Sequence, residues 1–133
     1  MSGPSPTAQQ AAALAARCSP VVLGAGAGCG KTTVLVNRFL DQLDPQLGGS
    51  PLGKVVAITF TKAAAAEMRA RLRKGCADRA AAAVGADAGH WAAVTRELDT
   101  ARVSTIHGFC GGILRSFAVE AGLWNSRVSR IKN

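Results

Sequence analysis

The sequence lacks the features that would mark a membrane protein, a secreted protein or a zinc-binding module. No apolar run approaches the roughly 18 residues of a membrane-spanning helix, and Met1 to Thr7 lacks the basic-then-apolar order of a signal peptide. The 4 cysteines include no Cys-x-x-Cys pair, so neither a zinc site nor a disulfide framework is indicated. We therefore expect a cytoplasmic protein with reduced thiols and no membrane association.

Negative charge is also scarce. The chain has 8 Asp and Glu against 16 Lys and Arg, which gives a net charge of +8 and a pI near 10.2. This balance indicates a polyanionic partner, because the planar fork of arginine suits phosphate oxygens. Solvated arginines on helix faces, arising from a general Ala, Gly and Arg bias, would produce the same counts. Composition leaves both interpretations open, in a chain of 133 residues that allows one domain at most.

One glycine-rich stretch carries recognisable chemistry between an apolar run and a helical pattern. It consists of Ala25, Gly26, Ala27, Gly28, Cys29, Gly30, Lys31 and Thr32. Glycines let the backbone form a concave nest of N–H groups at the positive end of a following helix. Lys31 can add a charge to the β- and γ-phosphates and Thr32 a hydroxyl to Mg²⁺, which is the logic of a P-loop. The pattern predicts a phosphate site, although Ala25 replaces the usual first glycine and a plain turn is the alternative.

The rest of the chain alternates short apolar runs with helical patterns. The predicted strands are Val21 to Leu23, Val55 to Ile58 and Ala101 to Ser104, and the predicted helices are 9–17, 31–43, one from Lys62, 90–99 and one from about 106 to 117. Residues 78–89, rich in alanine, predict irregular helix. This alternation predicts an α/β fold with a parallel sheet flanked by helices, with ligands at the carboxyl ends of the strands.

The apolar spacing also predicts which faces are buried. The first core helix should bury Val34, Leu35, Phe39 and Leu43, and the second should bury Ala65, Met68, Leu72 and Cys76. The outer side of the second helix is basic through Arg69, Arg71, Arg73 and Lys74. The continuous apolar run Val55 to Ile58 predicts a strand buried on both faces.

Three further motifs line up with the glycine-rich stretch. The chain reads TFTKAAAAEM over 59–68 and STIHGFC over 104–110, each after a predicted strand, and TAQQ over 7–10. Together the four resemble, over about Thr7 to Leu123, the UvrD/Rep-like superfamily-one DNA helicases, and most closely their RecB/AddA branch. Four such strings in order are far more specific than any one of them.

The resemblance implies an incomplete RecA-like P-loop NTPase domain that binds ATP and Mg²⁺ and moves along single-stranded DNA in recombinational repair, with a helicase–nuclease complex partner. By position in the motifs, Gln10 is the adenine reader, residues 25–33 through Thr33 hold the phosphates, Lys31 and Thr32 are catalytic, and Thr32 meets the metal. The implied DNA contacts are Phe60, Thr61, Lys62, Thr105 and His107. Alternatives remain for three of these residues: Gln10 as a surface glutamine, Phe60 as a core residue and His107 in a buried turn. Residues 1–6 are expected to be flexible, and 124–133 form an unplaced basic tail.

The departures from the family pattern bear on activity. Cys29 stands where Ser or Thr is usual, and its place beside Lys31 at a helix N-terminus predicts a reactive thiol whose alkylation blocks nucleotide binding; an inert small residue is the alternative. No Asp-Glu dipeptide occurs to hold Mg²⁺ and activate water, so we expect a helicase fragment that is not competent in hydrolysis. A non-enzymatic nucleotide- or DNA-binding module is the second interpretation. A small-molecule kinase is a third, which would make the motifs at 59–68 and 104–110 coincidences.

Overall fold

The elements form a short α/β arrangement in which helices outnumber strands. The structure, a computed structural model, describes residues 6–17, 19–24, 30–118 and 120. In chain order these contain α1 (Ala8–Ala15), α2 (Lys31–Leu43), β1 (Val56–Thr59), α3 (Lys62–Ala82), α4 (Ala86–Glu97), β2 (Arg102–Thr105) and α5 (Ile106–Ser116). Short 3₁₀ turns lie at Pro45–Leu47, Leu52–Lys54 and Leu98–Thr100. None of the described helices is both long enough and apolar enough to cross a membrane.

The two strands pair in parallel and in register. Val56 lies opposite Arg102, and the register continues to Thr59 opposite Thr105. The connection between them carries α3 and α4, as a parallel pair requires a crossover. Both strands were expected from the sequence, and each begins and ends one residue later than expected. The predicted parallel sheet flanked by helices is therefore observed as a small two-stranded sheet.

The expected first strand, Val21 to Leu23, is wrong. Among the described residues the sheet contains only β1 and β2, and residues 21–24 have no regular secondary structure. Val22 is 98% exposed, so neither a second strand nor a helix covers it. Apolar β-branched residues favour a strand, but a strand forms only where a neighbour accepts its backbone hydrogen bonds.

The core lies between α2, α3 and α4 on one face of the sheet. The largest fully buried side chains in the described residues are Leu43, Met68, Leu72, Leu98, Val103 and Cys76. All four residues predicted to face inward from α3 are buried, which confirms that face. On α2 the prediction holds for Val34, Phe39 and Leu43, but Leu35 is 45% exposed. The buried stripe instead takes in Val36 and Leu40, because α2 packs on α3 through its C-terminal half.

The opposite face of the sheet is only partly covered. Ala57 is buried, whereas its neighbours Val56 and Ile58 are 38% and 45% exposed, so burial on both faces was a wrong expectation. Side chains alternate along a strand, and only the face toward α3 is filled by the core. The apolar side of α5 is similarly half-exposed, at Ile106, Ile113, Leu114 and Phe117.

The alanine-rich segment is more regular than expected. α3 continues to Ala82 and α4 begins at Ala86, with a short break at Gly85 in the left-handed region (φ 64°). Arg79 fastens this part to α2, with guanidinium nitrogens 2.5 Å from Asp41 and 2.9 Å from Asp44. The same guanidinium lies 5.0 Å from the centre of the Trp91 ring. Alanine favours helix and Arg79 joins three helices, so irregular structure at 78–89 was a wrong prediction.

Candidate nucleotide and nucleic-acid site

The described part of the glycine-rich stretch begins at Gly30. Gly30 is the N-terminal cap of α2 with φ 76°, a conformation that glycine adopts without strain. Lys31, Thr32 and Thr33 form the exposed first turn of α2, where backbone N–H groups and the positive helix end face solvent. Residues 25–29 lie outside the described residues, so the phosphate nest and the reactive Cys29 stay predictions.

Gln10 lies against this first turn although α1 and α2 are separate elements. A Cβ atom placed on Gly30 would be 3.0 Å from Gln10 Nε2. The amide oxygen accepts a hydrogen bond from Thr7 N at 3.0 Å, and Thr7 Oγ1 accepts from Gln10 N at 3.3 Å. This capping box at the start of α1 orients the amide so that its nitrogen faces Gly30. The structure therefore brings two of the sequence-predicted nucleotide residues, Gln10 and Gly30, together.

The helices α2 and α3 run in the same direction, which brings their N-termini to one end of the molecule. Near their C-terminal ends, a Cβ on Gly75 would overlap Leu40 Cδ1, and Arg79 pairs with Asp41. Because both contacts join the later part of α2 to the later part of α3, both helices begin at the opposite end. Gly30 and Thr61, the residues that begin α2 and α3, therefore share that end.

The carboxyl ends of β1 and β2 hold the predicted DNA-contact residues. Thr59 lies opposite Thr105, so α3 and α5 start beside each other, after neighbouring strands. Thr61 caps α3, its Oγ1 accepting from Ala64 N at 3.1 Å, and Thr105 caps α5 in the same way, from Gly108 N at 3.2 Å. These two threonines thus have a structural role that the sequence interpretation missed. The signal was available, since Thr before a helical run is a favoured N-cap.

The remaining predicted DNA-contact side chains point into solvent at this edge. Phe60 is 96% exposed, so it does not close the sheet as a core residue. Lys62 and His107 are exposed in the first turns of α3 and α5, which excludes a buried turn around His107. An exposed aromatic ring beside cationic and hydroxyl groups can stack on a base while the others hold phosphates. The structure brings Thr61, Lys62, Thr105 and His107 to one edge.

The basic outer side of α3 is less free than its composition suggested. Arg71 pairs with Glu67 at 2.7 Å, and Arg73 pairs with Asp99 at 2.6 Å. Arg69 donates to the carbonyl oxygen of Val103 on β2. These contacts engage three of the four cations that the sequence placed there. The cation row is therefore partly a structural feature of the α3 surface.

Cys76 lies in the core, on the inward side of α3. Burial raises the pKa of its thiol from 9.0 to about 11, with a smaller opposing effect from the Arg79 guanidinium. The thiol is therefore neutral at physiological pH and belongs to the packing between the helices.

With the fold and this end of the molecule described, the family of the chain can be stated. Residues 6–133 match the UvrD/REP helicase N-terminal domain. The chain belongs to this family.

Curated relatives give the branch more closely. The A-subunit of an ATP-dependent helicase/nuclease from Pelotomaculum thermopropionicum is 36% identical over 117 residues, and the protein of the same name from Listeria monocytogenes serovar 1/2a is 35% identical over 117 residues. In both cases the alignment covers 88% of this chain and 9% of the relative. The relative of that name from Lactobacillus helveticus is 37% identical over 111 residues, covering 84% of this chain and 9% of its own length. The resemblance to the RecB/AddA branch is confirmed, and the chain spans about a tenth of the length of these relatives.

Proposed function

We propose that this chain is the ATP-binding, DNA-contacting first part of a DNA helicase of the helicase/nuclease A-subunit type. The observation that carries the proposal is the convergence of four helix N-termini, those of α1, α2, α3 and α5, at one end of the molecule. Gln10 and Gly30 meet there, and so do the predicted DNA-contact residues. Positive helix ends with exposed N–H groups favour polyanions such as a triphosphate and a DNA backbone. A RecA-like core around this end is part of the proposal.

In the nucleotide site we assign roles by residue. The residues present fit MgATP: Lys31 supplies a cation and Thr32 a hydroxyl ligand for Mg²⁺, both in the first turn of α2. Thr33, with the phosphate-binding stretch Ala25 to Cys29, completes the proposed phosphate contacts. The amide of Gln10 can donate to and accept from one edge of adenine, because its oxygen keeps a second lone pair beside the bond from Thr7. The bound Mg²⁺ would neutralise charge on the phosphate oxygens.

The nucleotide assignment is tested by equilibrium binding. Titration calorimetry of the chain with MgATP is expected to show one site, and Lys31→Ala should weaken it at least about tenfold, the effect of losing one hydrogen bond to a charged group. Lys54→Ala, which removes an exposed lysine from a 3₁₀ turn outside the site, is the matched control. Equal affinity in wild type and Lys31→Ala would contradict the phosphate site.

The proposed DNA ligand is single-stranded, because an exposed ring at a helix N-terminus stacks on unpaired bases. Fluorescence anisotropy with a labelled oligothymidylate is expected to show that Phe60→Ala loses about 1–3 kcal/mol of binding. Phe117→Ala is the control, since Phe117 is a half-exposed aromatic residue on α5, away from the carboxyl ends of the strands. Equal losses in the two variants would refute a specific role for Phe60.

We propose that the chain binds nucleotide without hydrolysing it efficiently. Phosphoryl transfer needs an acidic group for Mg²⁺ and another that orients water, and no Asp-Glu pair occurs in the sequence. The same observation favours a binding module as the second candidate function, which a steep salt dependence of DNA binding without ATPase activity would support. DNA-stimulated ATPase that Lys31→Ala abolishes would contradict this proposal.

The wider context follows from the relatives. Their name describes ATP-dependent proteins that combine helicase with nuclease and that form one subunit of a larger assembly. We propose that this chain serves the same kind of cytoplasmic complex in recombinational repair, where ATP and DNA are both present. Purification of the tagged chain from its own cells should recover a nuclease partner. Recovery of no nuclease would contradict the proposed complex.

A further inference from the structure

The helix that carries Gln10 cannot hold its own position. α1 has 8 residues, and isolated helices this short are marginal in water. Ala13 is its one buried residue in the part of the chain that the structure describes. A methyl group contributes little burial, so the place of α1 against α2 must depend on other contacts.

Two arginines supply those contacts, one from each side. Arg38 of α2 donates through Nη1 to the carbonyl oxygens of Ala13 and of Ala16, the latter at 3.1 Å. Arg17, just after α1, donates to the carbonyl oxygen of Leu47 at 2.8 Å and to that of Asp41. We call this pair, Arg17 and Arg38, the arginine clasp.

The clasp caps each helix with a cation from the other element. The last carbonyls of a helix have no partner within the helix and lie at its negative end. Arg38 satisfies such carbonyls at the end of α1, and Arg17 satisfies the Asp41 carbonyl at the end of α2. Charge-assisted hydrogen bonds are stronger and more directional than neutral ones, and arginine supplies them in a rigid fork. The clasp therefore fixes direction as well as distance.

The register of these contacts connects the clasp to the nucleotide end. Along α1 and the residue after it, Gln10 meets Gly30, Ala16 meets Arg38 and Arg17 meets Asp41. The two helices therefore lie side by side in the same direction. Six residues of helix, about 9 Å, separate Gln10 from Ala16. A clasp that holds the C-terminal end of α1 thus determines where the Gln10 amide stands at the other end.

We propose that Arg17 and Arg38 are positioning residues for base recognition, which hold Gln10 beside the first turn of α2 so that it reads the adenine ring. This inference rests on the proposed ATP site. The clasp touches neither base nor phosphate; its loss should weaken selection of the base and leave the phosphate contacts of Lys31 in place. Adenine offers a donor and an acceptor on one edge, whereas guanine offers two acceptors there.

The decisive experiment compares ligands that share phosphates and differ in base. Binding of MgATP, MgGTP and inorganic magnesium triphosphate is measured for wild type, Gln10→Ala, Arg38→Ala and the double variant. Each single substitution should weaken MgATP about tenfold and leave inorganic triphosphate within about twofold. The double variant should also lose about tenfold rather than about a hundredfold, because both changes remove one function. Arg38→Lys, which keeps the charge without the fork, should fall between wild type and Arg38→Ala.

A second readout does not need nucleotide. In hydrogen exchange, Arg38→Ala should accelerate the amides of α1 while those of α3 keep their wild-type rates, which also shows that the fold persists. Arg96→Ala, which removes an exposed arginine from α4, is the matched control and should change neither exchange nor binding.

The outcomes separate this inference from the proposed function. A wild type that binds none of the three ligands overturns both. A wild type that binds triphosphate without preferring ATP keeps the phosphate site and refutes base reading through the clasp. A wild type that prefers ATP, with that preference intact in Arg38→Ala or with α1 exchange unchanged, refutes the clasp alone.

Discussion

Gly75 allows a prediction in which the local sequence and the tertiary structure give opposite signs. In the interior of a helix, replacing glycine by alanine stabilises by about 1 kcal/mol. At this position in α3, however, the added Cβ would lie less than 3.0 Å from Leu40 Cδ1, closer than Cβ atoms approach their neighbours in proteins. Leu40 is 3% exposed within the core, so its side chain has little space into which to move. We therefore expect Gly75→Ala to destabilise the protein.

The magnitude follows from the two opposing effects. Overpacking a filled core costs about 1–3 kcal/mol, and the gain in helix propensity offsets about 1 kcal/mol of it. The net loss is up to about 2 kcal/mol. Gly89 in α4 is the matched control, because a Cβ there would meet nothing within 4 Å. Gly89→Ala is expected to gain up to about 1 kcal/mol.

Urea denaturation followed by far-ultraviolet circular dichroism measures both changes at constant m-value. A further comparison tests the cause: in a Leu40→Ala background, Gly75→Ala should become neutral or stabilising, because the added methyl group then enters vacated space. If Gly75→Ala stabilises the otherwise wild-type chain as much as Gly89→Ala does, the close approach of α2 to α3 is refuted. The same contact sets the direction of α2, whose first turn carries Lys31.

Three other predictions follow from the described contacts. Because burial raises the pKa of Cys76 to about 11, stability should be complete below pH 9 and decrease as pH rises from 9 toward 11; this part of the pH dependence of the urea midpoint should vanish in Cys76→Ala. Thr61→Asp should preserve the melting temperature, since aspartate is an equally good N-cap, but weaken oligothymidylate binding by repelling phosphate; unchanged binding would count against Thr61 as a DNA contact. Arg79→Ala should cost about 2 kcal/mol, because it leaves two half-buried carboxylates unpaired, whereas Arg71→Ala, at an exposed pair, should cost under about 0.5 kcal/mol in the same urea assay.

The elements that the sequence predicts well are those determined by local rules. α2 begins at Lys31 and ends at Leu43, as expected, since glycine precedes it and Pro45 follows shortly after. The buried face of α3 was also readable, from apolar residues at helical spacing. Strands depend instead on a partner elsewhere in the chain. The run Val21 to Leu23 has the composition of a strand, yet nothing described pairs with it.

The same limit applies to polar side chains. The sequence shows that Arg38 and Arg73 are cations, but not that one caps α1 and the other pairs with Asp99. Guanidinium groups select partners by three-dimensional proximity, so composition alone made the outer side of α3 look like an open nucleic-acid surface. The juxtaposition of Gln10 with Gly30 was implied by family resemblance, and the structure adds the contacts that produce it.

The capping threonines show how one residue can belong both to the fold and to the proposed site. The hydroxyl oxygens of Thr61 and Thr105 each accept one backbone hydrogen bond in their helices. A hydroxyl group still has a proton to donate, and phosphate is an acceptor. Capping therefore does not compete with a DNA contact; it fixes the hydroxyl at the positive helix end, where a phosphate would be favoured. Serine at either position should preserve both functions, while alanine should remove both at once.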